Sequence, residues 1–266
     1  MPELPEVETV KRELEKTVIN KKIIDVIVNN AKVIRDPKKE KFAAGLKNAG
    51  IKKVIRRGKL LIFELSNGKA LTVHLKMTGQ LIYPGNGKIS KVSFKLSDGK
   101  LLDFNDTRLF GELRVLDNWQ DLKFIKELGP EPFDLSAEEF SKILKNKKTR
   151  IKILIMDQKI ISGIGNLYAS EALFEAKIDP RRPANSLSQK EAGSLFAEIK
   201  KVLSEAIKYG GSSVDQYVRV SGKPGDYVRF HRVYDREGQA CYKCKGKVKR
   251  ITLGGRGTYF CPSCQR

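Results

Sequence analysis

Apolar residues recur at steps of three and four from the start of the chain. Leu4, Val7, Val10, Leu14 and Val18 fall on one stripe, which predicts an amphipathic helix directly after the N-terminus. From Lys22 to about Leu116 the period shortens. Ile23–Val28, Leu60–Leu65, Ala70–Leu75, Val92–Leu96 and Leu101–Phe104 are short, β-branched-rich and partly alternating. Turn dipeptides such as Asn67-Gly68 and Asp98-Gly99 separate them. This texture predicts an antiparallel sandwich or barrel, interrupted by one helix near Lys38–Lys47. Leu128-Gly-Pro-Glu-Pro-Phe133 is a proline-punctuated boundary. Beyond it the pattern is helical. Ser136 and Glu139 form a capping box ahead of Phe140, Ile143 and Leu144. Ile151–Met156 reads as a short helix, and the turn Gly163-Ile-Gly-Asn166 precedes another from about Leu167 to Ala176. Ser188 and Glu191 open a longer helix with Ala192, Leu195, Phe196, Ile199, Val202, Leu203 and Ile207 on one face. Two helices around a glycine turn predict a helix–turn–helix-type unit. Gly210–Tyr227 has no period and predicts a long loop.

A chain of 266 residues can hold two domains and a sizeable core. Its charge narrows the choice of partners. There are 52 basic and 31 acidic residues, a net charge of +21. Such an excess fits a nucleic-acid backbone, with an anionic membrane surface as the alternative on charge alone. No apolar run approaches the roughly 18 residues of a membrane span, and the acidic N-terminus has no apolar signal core. The expectation is a soluble, cytoplasmic protein with no membrane partner.

The candidate chemistry lies at the two ends. Removal of Met1 would make Pro2 the N-terminus, a secondary amine that titrates near neutrality and can act as a nucleophile. Glu3, Glu6 and Glu8 follow. They could shuttle protons, or simply suit the first turn of a helix. All four cysteines lie in the tail: Cys241-x2-Cys244, sixteen residues, then Cys261-x2-Cys264. Paired knuckles at this spacing fit one structural Zn2+ on a β-hairpin; two disulfides are the alternative, which a cytosolic location disfavours. Residues 241–266 contain seven Lys or Arg and no Asp or Glu, and Leu253-Gly-Gly-Arg-Gly257 sets Arg256 at the hairpin tip. The turn before Asn166 could cradle one phosphate at a helix N-terminus, or be only a helix–helix turn. Lys59 reads as an edge charge, a phosphate contact or a proton donor. His74 lies within a strand, where a satisfied histidine is the default. Arg108-Leu-Phe110 pairs a cation with an aromatic, as wedges in kinked duplexes do.

Together these stretches resemble the bacterial formamidopyrimidine-DNA glycosylase family. The likeness runs through Met1-Pro-Glu-Leu-Pro-Glu-Val-Glu8, Arg57-Gly-Lys-Leu60, His74-Leu-Lys-Met-Thr-Gly79, Asp106-Thr-Arg-Leu-Phe-Gly111, Leu128-Gly-Pro-Glu-Pro132, Gly163-Ile-Gly-Asn-Leu-Tyr168 and the four-cysteine tail. Leu4-Pro5 favours this family over its endonuclease VIII sister. The resemblance implies an α+β fold. An N-terminal antiparallel β-sandwich flanked by helices would span 1–117, a linker 118–134, a helix–two-turn–helix DNA-binding domain 135–235 and a zinc finger 236–266. It implies excision of oxidised purines (8-oxoguanine, formamidopyrimidines) from damaged double-stranded DNA by a monomer with no obligate protein partner. Pro2 would attack C1′ of the damaged nucleoside, with Glu3 as proton donor and Glu6 as its neighbouring carboxylate. Lys59 would assist β-elimination and Arg256 δ-elimination. Asn166 and Arg256 would pinch the flanking phosphates, and His74 and Lys148 would contact DNA. Met77, Arg108 and Phe110 would fill the gap left by the extruded base, and the loop from Ser212 would cover that base.

The chain departs from the family pattern at Leu109, where a second cation is common. It lacks a histidine near Ile89–Lys91, has Tyr234-Asp-Arg236 for the usual Tyr-Gly-Arg, and carries Ser162 at a small apolar position. A glycosylase for oxidised pyrimidines and a non-enzymatic nucleic-acid-binding protein are the competing readings.

Overall fold

The computed structural model describes residues 1–266. It forms two compact units: Met1–Lys126 with Tyr209–Val228, and Glu127–Lys208 with Arg229–Arg266.

The first unit opens with α1 (Leu4–Val18), whose expected stripe is at most 1% exposed along its whole length. Then come β1 (Ile23–Val28), β2 (Ile34–Asp36), α2 (Lys39–Leu46), β3 (Ile51–Arg57), β4 (Leu60–Leu65), β5 (Ala70–His74), β6 (Gly79–Gly85), β7 (Val92–Leu96), β8 (Leu101–Asp106), β9 (Glu112–Leu116) and α3 (Lys123–Lys126). One sheet has the order β1-β7-β8-β6 and the other β2-β9-β5-β4-β3. Val92, Phe94, Leu102 and Phe104 of the first sheet share one core with Leu61, Phe63, Leu71 and Val73 of the second. Val7, Val10, Leu14 and Val18 of α1 and Phe42 and Leu46 of α2 join that core. This is the expected sandwich, and all its pairings but one are antiparallel. The three-residue edge strand β2 runs parallel to β9. It reaches that edge through a single helical turn at Ala31–Val33, capped by Asn30.

Four strands were not marked individually by the pattern. β3 lies at a sheet edge and carries Lys52, Lys53, Arg56 and Arg57, which mask its alternation and protect the edge from pairing with another chain. β6 is also an edge strand, and Pro84 is tolerated there because an edge amide needs no ladder partner. β2 is too short to show a period, and β9 buries only Leu113 and Val115.

The second unit contains α4 (Ala137–Lys145), α5 (Ile151–Met156), α6 (Asn166–Glu175), α7 (Gln189–Lys208), β10 (Lys249–Leu253) and β11 (Arg256–Phe260). Both expected capping boxes form. The Glu139 N–H donates to Ser136 Oγ at 3.1 Å, and the Ser136 N–H donates to Glu139 Oε2 at 2.8 Å. Ser188 and Glu191 repeat the exchange at the start of α7. Phe140 of α4 stacks on Phe196 of α7 with ring centroids 4.9 Å apart. α6 is buried along nearly its whole length. Its Glu171 carboxylate accepts the backbone N–H groups of Arg232, Val233 and Tyr234 at 2.7, 3.0 and 2.8 Å. Burial pushes this carboxyl up, and the three amides oppose that shift. α6 thereby fixes the start of the segment that leads to the finger.

His231 lies in that segment and is 5% exposed. Burial above all pushes its imidazole down to about 4. The unfolded chain binds a proton near pH 6.5 and the folded one does not, so acid favours unfolding between pH 6.5 and 4. At pH 5 the expected loss is about 2 kcal/mol. The drop in Tm between pH 7 and pH 5 should shrink in His231→Gln; an unchanged drop would contradict the assignment.

Candidate active site and nucleic-acid interface

The residues singled out above fall into two groups, one in each unit. In the first unit, Pro2, Glu3 and Glu6 are all buried, while Met1 is 48% exposed. Glu3 is the N-cap of α1. Glu6 Oε2 accepts the Glu3 N–H at 2.8 Å, and its Oε1 accepts the Ser212 N–H at 2.9 Å. One carboxylate therefore fixes the backbone beside Pro2 and also anchors the 210–227 loop. Gly211 permits this closeness. Its φ is +79°, and a Cβ there would lie 2.9 Å from Glu6 Oε1.

Lys59 is 9% exposed and sits in the turn between β3 and β4. That turn is set from α1. The Arg56 Nε donates to Glu8 Oε2 at 2.9 Å, and an Arg56 terminal N–H donates to the Gly58 carbonyl at 2.9 Å. Arg12 holds the other Glu8 oxygen at 2.7 Å. Burial would raise the Glu8 pKa, but the two arginines outweigh it and lower it. Glu8 is thus a structural anion that orients the lysine-bearing turn.

Met77, Arg108 and Phe110 are brought together. Arg108 donates to Met77 Sδ at 3.2 Å, and its guanidinium lies 4.8 Å from the Phe110 ring centroid. Met77 and Phe110 are 38% and 48% exposed. Two large apolar side chains left open beside a cation suit a surface that is covered in use. Asp106 shapes the turn. It accepts the Thr78 hydroxyl, the Arg108 N–H at 3.1 Å and the Gly111 N–H at 2.7 Å. Leu109 holds φ +58° and packs against the core, so no second cation is presented here. His74 is half-buried, and its Nδ1 accepts the Lys76 N–H at 3.0 Å. Burial first, then the Lys76 charge, push its pKa to about 3, which leaves it neutral at physiological pH.

In the second unit, Gln158 staples the glycine turn between α5 and α6. Its amide donates to the Met156 and Ile164 carbonyls at 2.8 and 2.7 Å and accepts the Gly163 N–H at 2.9 Å. Asn166 then opens α6. Its Nδ2 donates to the Gly257 carbonyl at 2.9 Å. Its Oδ1 accepts from Lys152 Nζ at 2.7 Å, and the same ammonium reaches Thr258 Oγ at 2.8 Å. Lys152 is 1% exposed and ties α5, Asn166 and the finger hairpin together. The sequence reading missed it; the signal was a single lysine inside the apolar run Ile151–Met156. Lys148 is exposed just before α5. β10 and β11 pair through Leu253 and Arg256 around Gly254 and Gly255, with φ of +56° and +71°. Two positive φ values match a two-residue hairpin turn, so exposed Arg256 stands beside the tip as expected.

The four cysteine Sγ atoms lie within 4.8 Å of one another. Cys241 and Cys264 are 3.8 Å apart and Cys244 and Cys261 3.5 Å. A tetrahedron with Zn–S bonds of about 2.3 Å has edges near 3.8 Å, whereas a disulfide needs about 2.05 Å. The donor set therefore suits one zinc ion and leaves no open position for catalysis.

Residues 1–113 match the formamidopyrimidine-DNA glycosylase N-terminal domain, 128–218 the H2TH domain of the same enzymes, and 238–266 the zinc finger found in FPG and IleRS. The chain belongs to the formamidopyrimidine-DNA glycosylase family. It is 43% identical over 274 residues to a formamidopyrimidine-DNA glycosylase from Pelotomaculum thermopropionicum, covering 100% of this chain and 99% of that one. It is similar to a Lactococcus lactis FPG mutant solved with Fapy-dG-containing DNA, with a TM-score of 0.91, 34% identity and full coverage of both chains. A complex of the L. lactis Fpg with abasic-site DNA matches with a TM-score of 0.90, 34% identity and 99% coverage of each chain.

For this glycosylase-family chain the metal site has a direct test. A structural zinc site contributes its binding energy to folding. Chelation should release one zinc per chain, expose the 249–260 amides to hydrogen exchange and weaken duplex binding about tenfold or more. A metal-free finger with unchanged protection would contradict the assignment.

Proposed function

We propose that this protein is a DNA glycosylase with abasic-site lyase activity that removes oxidised purines from duplex DNA. The observation that carries the reading is the N-terminal cluster. Pro2 is buried directly before Glu3, and Glu6 holds the Glu3 N–H at 2.8 Å. After Met1 is removed, the Pro2 nitrogen lone pair attacks C1′ of an extruded nucleoside. The C1′–N bond to the base breaks, and the base leaves with a proton delivered through Glu3. The C1′–O4′ bond then opens, and O4′ takes the proton that the Pro2 nitrogen gives up. The resulting iminium acidifies C2′, so loss of a C2′ proton expels the 3′ phosphate. Lys59 assists that β-elimination, and Arg256 assists the δ-elimination that follows.

Extruding the base costs a few kcal/mol, offset by a bend and by side chains that enter the gap. Met77, Arg108 and Phe110 take that role. Asn166 Nδ2 carries two hydrogens and engages Gly257 with one, so it can also meet a phosphate beside Arg256. Lys148 adds a phosphate contact. His74, neutral, supports the strand end beside the turn carrying Met77, and its DNA contact is uncharged. The loop from Ser212 covers the extruded base. Zinc maintains the finger fold. The protein acts as a monomer in the bacterial cytoplasm.

Duplexes carrying one 8-oxoguanine, formamidopyrimidine or oxidised pyrimidine test the reading. Base release and strand cleavage should be fastest on the purine lesions. Preference for the pyrimidine would favour the alternative substrate class, and binding without cleavage of any of them would make this a binding protein only.

A further inference from the structure

The 210–227 loop is tied to the first unit at both of its ends. Near its start the Ser212 N–H donates to Glu6 Oε1 at 2.9 Å. On its far arm Arg219 and the Val220 N–H bond Glu13 at 2.6 and 2.9 Å, and the Tyr83 N–H donates to the Val220 carbonyl at 2.9 Å. Between these anchors stands Gln216. Its side-chain Oε1 accepts the Thr107 hydroxyl at 2.8 Å, and its backbone carbonyl accepts the Gln80 side-chain N–H. Thr107 begins the turn that carries Arg108 and Phe110. One residue of the loop thus holds the turn directly, through a side chain with no other part in the chemistry described above.

Both Gln216 bonds are exposed, so water competes for them in the free protein and each adds little. A duplex seated over Met77, Arg108 and Phe110 would exclude that water and strengthen the pair. The contact is therefore weak until DNA covers the turn.

We propose that Gln216 is a positioning residue that latches the base-covering loop to the gap-filling turn through Thr107, so that base excision requires both to be set together. This rests on the function proposed above. The test uses the zinc-loaded full chain with Thr107→Val, Gln216→Ala, the double variant and Thr107→Ser. Single-turnover excision of 8-oxoguanine is compared with cleavage at a preformed abasic site, which has no base to cover. Each of Thr107→Val and Gln216→Ala should slow excision about five- to tenfold. The double variant should be no slower than the slower single, Thr107→Ser should restore the rate, and abasic-site cleavage should stay unchanged. Multiplicative losses in the double variant, a Thr107→Ser as slow as Thr107→Val, or equal losses on the abasic site would each overturn the latch. An unaltered protein that cleaves neither substrate would instead overturn the function beneath it, and the latch with it.

Discussion

Protein that keeps a residue in front of Pro2 should excise oxidised purines at least about a thousandfold more slowly than processed protein. The reason is electronic. An amide nitrogen shares its lone pair with the carbonyl and cannot attack carbon. A free α-amine titrates near pH 8, so a useful fraction is unprotonated at neutral pH. Met1 is exposed and Pro2 buried, so removing one residue frees an amine that directly precedes the Glu3 N–H held by Glu6. Intact mass establishes the state of the terminus, and single-turnover excision by the two forms gives the ratio. Comparable rates would exclude the Pro2 amine as nucleophile.

Glu3→Gln should separate the two chemical stages. Glutamine keeps the shape of glutamate and can still stand at the start of α1, but it cannot deliver a proton. General acid–base catalysis contributes roughly 10²–10⁴-fold, so base release should fall by that range. Cleavage at a preformed abasic site needs no departing base and should fall far less. An equal loss on both substrates, with α1 intact by circular dichroism, would show that Glu3 serves the N-terminal backbone and not the departing base.

The parts of this protein that were legible from sequence are those written in local pattern. The α1 stripe, the Ser136 and Ser188 caps and the cysteine knuckles each lie within a few turns of chain, so spacing alone reveals them. Arg256 could be put at the hairpin tip because Gly254-Gly255 fits few turns other than the one observed. The edge strands were hidden. β3 is half basic and β6 contains Pro84, and each becomes a strand through its pairing partner. The return of residues 209–228 to the first unit leaves no local signal, since it depends on Glu6 and Glu13 some two hundred residues away. The Glu8–Arg56 pair belongs to the same class: its role lies in a contact across the fold, and nothing in the immediate sequence of either residue sets it apart from a surface charge. Lys152 differs, because a lone lysine inside the apolar run Ile151–Met156 is a local signal, although its partners Asn166 and Thr258 are not.

The central claim is that the Pro2 nitrogen becomes covalently bonded to the damaged nucleotide. Borohydride reduction during reaction with an 8-oxoguanine duplex, followed by peptide mass mapping, tests it most directly. One protein–DNA adduct per chain is expected, carried on the peptide that begins at Pro2, with far less in Pro2→Gly and none on that peptide when Met1 is retained. An adduct on Lys59 or another lysine, or none under conditions where the strand is cleaved, would contradict it.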